Sequence, residues 1–157
     1  ANSETHGYTA GGENSVAPPD IVTSDVIENF PFATDTNSTD VSNLTVDRYS
    51  GAGCSSETYG YTCGGTRYGN PGVPSGFFTD VIDKFLFATG ACATDVRNLT
   101  LPNGNMGGSS STTYVYVIGG YIIYIDRIDT FSFTTDGNAS DIASLTLGRD
   151  NVAGTQN

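Results

Sequence analysis

Aromatic and polar positions alternate in the same way at three places along the chain. Phe30 and Phe32, Phe85 and Phe87, and Phe131 and Phe133 each sit two residues apart, so in an extended strand both rings of a pair leave the same face. Each pair predicts a strand whose Phe face is packed. The surrounding wording repeats without a gap as DVIENFPFATDTNSTDVSNLT (25–45), DVIDKFLFATGACATDVRNLT (80–100) and DRIDTFSFTTDGNASDIASLT (126–146). After each pair, a stretch rich in Thr, Asp, Asn, Ser and Gly predicts a turn, and the short apolar run ending in Leu-Thr predicts a second strand.

A second unit repeats between these blocks: ANSETHGYTAGG (1–12), CSSETYGYTCGG (54–65) and SSSTTYVYVIGG (109–120). It predicts a strand closing on Gly-Gly. VDRYSGAG (46–53) precedes the second copy and LPNGNMGG (101–108) the third, while LGRDNVAGTQN (147–157) supplies the piece missing before the first, with Arg149 standing where Arg48 stands. The chain reads as one domain, 1–157, of three circularly cut repeats: 147–157 with 1–45, then 46–100, then 101–146. Four strands are expected in each repeat. Segment 147–157 is expected to pair beside 1–12, within one chain or between chains.

Composition agrees with short strands and many turns: 157 residues include 20 Gly, nine Tyr and eight Phe. No long stretch has apolar residues at helical spacing, and no run of about 18 apolar residues appears, so no membrane insertion is expected. No signal peptide or initiator Met is visible, which fits processing or a part of something longer. Seventeen acidic residues against six basic ones give a formal charge of −11. That balance argues against nucleic acid as a partner, because Lys and Arg contacts to phosphate supply most of that affinity; it suits a solvated acidic surface.

Arg48, Tyr61 and Gly64-Gly65 follow the spacing R-x(12)-Y-x-x-G-G, and Ile82, Asp83 and Phe85 follow as apolar-Asp-x-aromatic. This arrangement resembles the kelch repeat and covers essentially the whole chain. It implies an all-β fold of kelch-like β-propeller blades, each a four-stranded sheet. Two positions depart from the family: Asn103 stands where Arg is usual in the third repeat, and Phe where Trp is usual throughout. ETHGYTAGG (4–12) and FATDTNSTDVSNLT (32–45) are similar to kelch-like virion proteins of tailed phages of marine bacteria. That resemblance implies a non-catalytic structural or adhesive component of the virion, an extracellular particle: a tail fibre, tail tip or decoration protein. A cell-surface glycan or receptor is then the expected partner. Since propellers have about four to eight blades, three repeats imply a homo-oligomer or a larger virion assembly.

Candidate chemistry changes this picture little. The lone histidine, His6, occupies the position of Tyr59 and Tyr114, which suits aromatic packing. One histidine cannot build the copper site of the galactose oxidase branch of propellers. No nucleophile elbow, zinc helix, P-loop or dinucleotide fingerprint is present, so no catalytic residue and no cofactor are expected. Two other classes stay open: a carbohydrate-active or oxidative enzyme on a propeller, and a secreted filament or surface adhesin of a cell.

The connections after Gly-Gly differ most: 13–24, 66–79 and 121–125. Loops on a rigid scaffold usually carry binding, so Tyr68, Phe77 and Phe78 are the preferred contact residues; the competing reading is that both Phe residues begin the next strand. Asp35, Asn37 and Asp40, and likewise Asp136, Asn138 and Asp141, share D-x-N-x-x-D, a weak calcium pattern. Such side chains commonly accept bonds from their own turn, and the middle repeat lacks the pattern, so no metal is expected. Cys54 and Cys63 enter the same repeat on consecutive strands. They suit a disulfide if the protein matures outside a reducing cytosol, and otherwise small packing positions; Cys92 is the odd thiol. The sequons at Asn37, Asn43, Asn98 and Asn138 read as repeat wording.

Overall fold

The computed structural model describes residues 1–17, 20–68, 76–122, 125–135 and 137–154, and no helix occurs among them. Strands β1 (His6–Ala17), β2 (Asp20–Pro31) and β3 (Thr39–Asn43) form one sheet. A second sheet joins β4 (Ala52–Ser55), β5 (Tyr59–Arg67), β6 (Phe77–Leu86) and β7 (Thr94–Asn98). The third joins β8 (Gly107–Ser110), β9 (Tyr114–Ile118), β10 (Arg127–Ser132) and β11 (Ser140–Ser144). Every pairing is antiparallel and between strands adjacent in sequence. The protein is all-β, built from three antiparallel sheets.

The Gly-Gly pairs carry the strand into the next connection. Gly11, Gly64 and Gly119 have φ of 69°, 56° and 69° and their successors 134°, 119° and 130°, a region glycine enters without a Cβ penalty. The kink lets a linker backbone approach. Gly12, Gly65 and Gly120 donate N–H to the carbonyls of Arg48, Asn103 and Arg149 at 2.8, 2.8 and 3.0 Å. The linker after each sheet is thus anchored on that sheet's own glycine pair.

That anchoring sets the course of the tail within one chain. Arg149 is held on the third sheet, and Asn151 N–H donates to the Asn105 carbonyl at 2.9 Å. Within the chain, residues 148–154 therefore lie on the third sheet and not beside 1–12; residues 155–157 fall outside the described set. The first sheet has three strands instead of four, with only an isolated Asn2–Gly7 bridge beside β1. The first Gly-Gly connection is also not a loop. Its backbone continues the hairpin past a bulge, with Gly12 opposite Ser24 and Ala17 opposite Asp20.

The sheets pack face to face through the repeated aromatics. Phe85 and Phe131 are 3% and 4% exposed, as expected for packed rings, but Phe30 and Phe32 are 39% and 56% exposed. The first pair has no preceding sheet to cover it. Between the second and third sheets the core holds Tyr61, Ile82, Leu99, Val115, Val117 and Phe131; between the first and second it holds Ile27, Leu44, Phe85 and Ala93. Burying such side chains contributes roughly 1.5–3 kcal/mol each.

Candidate functional site

A groove at the far end of the β5–β6 hairpin gathers several residues that break the repeat symmetry, Arg67 and Phe77 among them, beside Asp80, which recurs as Asp25 and Asp126. Asp47, Arg67, Tyr68, Phe77, Phe78, Thr79 and Asp80 line a cavity of about 390 Å³. The three contact residues expected from the sequence are therefore together, though not in one role. Phe77 and Phe78 are the first residues of β6, opposite Arg67 and Thr66, so they do begin a strand.

Alternation on β6 sends the two rings to opposite faces. Phe77 is 56% exposed. Phe78 is half-buried: its ring lies 6.2 Å from that of Tyr121 and about 3.0 Å from where a Cβ on Gly104 would stand. Phe78 thus holds the linker between the second and third sheets, and Phe77 is the free platform. Tyr68 stacks on Tyr49, with centroids 5.2 Å apart and planes within 6°. Burial, then the neighbouring Tyr68 hydroxyl, pushes the Tyr49 phenol up to about 12.

A charge pair borders these rings. Arg67 Nη2 lies 2.7 Å from Asp47 Oδ1, and the Thr23 hydroxyl donates to the other carboxylate oxygen. Burial raises the Asp47 pKa, but the Thr23 and Arg67 hydrogen bonds outweigh it and hold the carboxyl below its ordinary value. An exposed aromatic face beside fixed donors and acceptors matches the composition of binding grooves, in which apolar walls carry area and a few polar groups orient the ligand. Asp47, Arg67, Thr79 and Asp80 were not singled out from the sequence. The available signal was symmetry: Arg67 stands where the other repeats have Asn14 and Ile122, and Asp47 where they have Pro102 and Gly148.

A second concavity of about 290 Å³ lies where turns 2–4, 55–57 and 110–112 meet. The central hydroxyls there serve the fold. Ser3, Ser56 and Ser111 each accept the N–H three residues on, from His6, Tyr59 and Tyr114, at 3.0 Å. His6 accordingly caps a turn beside Tyr8, its ring 6.5 Å from the tyrosine's.

The remaining candidates are dispersed. Asp35 and Asn37 lie exposed in the turn between β2 and β3, and Asp40 lies exposed on β3 opposite Glu28. Asp136 lies outside the described residues; Asn138 Oδ1 accepts from the Asn98 N–H at 3.1 Å, and Asp141 lies 3.2 Å from Arg127. Among the described residues no three His, Cys, Asp or Glu side chains converge as metal ligands do.

Cys54 and Cys63 are free buried thiols, whereas Cys92 is exposed. Cys63 is opposite Ala52 and Cys54 opposite Tyr61, so the cysteines are diagonal. A hydrogen bond with Cys54, then burial, raises the Cys63 thiol pKa well above its ordinary value.

No protein-family model matches the chain, and no curated protein matches it. Among solved structures, that of YjhT superposes with a TM-score of 0.74 at 11% identity, over 93% of this chain and 51% of that one. At that identity the likeness shows a shared fold alone. The chain spans about half the length of the YjhT structure.

Proposed function

We propose that the three sheets are blades of a kelch-like β-propeller and that the protein is a non-catalytic, adhesive component of a phage particle. It works outside the cell as a tail-fibre, tail-tip or decoration protein. Its partner is a cell-surface glycan or receptor, and it acts as assembled copies. The propeller reading is supported by sheets that repeat one strand order and one packing scheme, and by the kelch spacing of Arg48, Tyr61 and Gly64-Gly65. The virion reading is supported by the resemblance of 4–12 and 32–45 to phage proteins, which is analogy and not chemistry.

One observation carries the adhesive role: Phe77 is 56% exposed in a groove with Arg67, Asp47 and Tyr68. Most of the other repeated aromatics pack between sheets. Immunogold labelling of purified phage particles tests the assignment. Label on the tail or particle surface is expected, together with no turnover of sugar substrates by the purified chain. Particles without label, or measurable oxidation or hydrolysis of a sugar, overturn it.

A further inference from the structure

The two junctions between sheets are made in one way. At the first, the Tyr8 ring lies 5.7 Å from Phe85 and 4.7 Å from Phe87, and Ala93 N–H donates to the Asn43 carbonyl at 2.8 Å. Thr45 donates both its N–H and its hydroxyl to Asp83, at 2.8 and 2.7 Å. At the second, Tyr61 lies 5.7 and 5.4 Å from Phe131 and Phe133, and Ala139 N–H donates to the Asn98 carbonyl at 2.9 Å. Thr100 donates its N–H and hydroxyl to Asp129 at 2.9 and 2.7 Å.

Each half of the same junction also stands on an outer face. On the third sheet, Tyr116, Ser144 and Thr146 occupy the positions of Tyr61, Asn98 and Thr100. The first sheet offers Phe30, Phe32, Glu28 and Ser38 at the positions of Phe85, Phe87, Asp83 and Ala93. Exposure marks both halves as unmatched. Phe30 is 39% exposed where Phe85 is 3%, and on the other face Tyr116 is half-buried where Tyr61 is 1% exposed. Charge is complementary as well: Arg149 follows Thr146 as Arg48 follows Thr45, and Arg48 pairs with Asp83, the equivalent of Glu28.

We infer that the third sheet of one copy docks on the first sheet of a second copy through this junction. Thr146 donates to Glu28, Arg149 pairs with it, and Tyr116 covers Phe30 and Phe32. Used twice, the contact closes a two-copy ring with no unmatched face, the cyclic outcome of a head-to-tail interface. This deepens the assembled-copies part of the proposed function and rests on reading the sheets as equivalent blades.

Sedimentation of the full 157-residue chain at micromolar concentration tests it. The expected species has twice the 16.4 kDa chain mass. Glu28→Arg and Arg149→Glu should each weaken association at least about tenfold, and the double variant should recover to within about threefold of the parent. Phe32→Ser, with unchanged circular dichroism, should also weaken it. A monomer throughout, an open-ended polymer, or a dimer indifferent to all of these variants overturns the proposal. Phe77→Ser should leave the dimer intact, so a failed adhesive role and a failed contact are read separately.

Discussion

Arg48, in the linker between the first and second sheets, and Asp83 on β6 form an ion pair at 2.7 Å, with side chains 1% and 0% exposed. The same Asp83 accepts two hydrogen bonds from Thr45, so one carboxylate ties the first sheet and its linker to the second. Asp129 repeats the role at the next junction, but with Asn103 in place of the arginine. Asn103 instead donates to the Gly119 carbonyl at 3.0 Å and accepts from Gly104 and Tyr121.

Removing Asp83 leaves a buried guanidinium without its counter-charge. Asp83→Ala should cost about 3–5 kcal/mol, and Asp129→Ala should cost less because no buried arginine is stranded. Urea unfolding of both variants checks this. Equal losses would mean that the ion pair adds nothing to the Thr-Asp bonds.

Gly64 is a position where the backbone and the neighbours both exclude a side chain. Its φ is +56°, and an added Cβ would stand 2.7 Å from the Asn103 carbonyl oxygen. Gly64→Ala should therefore destabilise by about 1–3 kcal/mol. Gly53→Ala is the control, since its nearest neighbour is 3.5 Å away; it should change the denaturation midpoint little.

Thiol labelling separates the three cysteines. Cys92 alone should react in the native chain, and all three should react after unfolding without reductant. Two slow thiols follow from the burial of Cys54 and Cys63 and from the raised Cys63 pKa, because the thiolate is the reactive form. Only one reactive thiol after non-reducing denaturation would show a Cys54–Cys63 disulfide in place of two buried thiols.

Much of this architecture is legible in the sequence because it is written three times. The period-two Phe pairs, the Leu-Thr strands and the Gly-Gly pairs each mark a local backbone state, and local states survive reading in one dimension. Exposure does not. Phe30 and Phe85 share their wording, yet one is exposed and the other buried, because burial depends on whether a sheet lies in front. Likewise the Arg48–Asp83 pair joins residues far apart in sequence, and the diagonal offset of Cys54 and Cys63 needs the β4–β5 register. The groove was half legible: Tyr68 and Phe77 stood out as aromatics among Pro and Gly, whereas Asp47 and Arg67 resembled ordinary surface charges.

The Asp47 carboxyl offers a titration test of that groove. Its folded pKa is depressed, so its contribution is present above the ordinary carboxylate pKa and lost as pH falls through the folded value. Arg67→Ala should move the Asp47 midpoint upward in a carboxyl NMR titration. A midpoint unchanged from the parent would mean that Arg67 does not set the electrostatics of the site.

Attachment of the purified chain to cells is the most direct test of the proposal that the groove at Phe77 is a binding surface. Phe77→Ser is the informative variant, because Phe78 is committed to packing on Tyr121. Phe77→Ser should lower attachment at least about tenfold, as loss of a central aromatic anchor does, while circular dichroism stays that of the parent. Attachment equal to the parent's would contradict it.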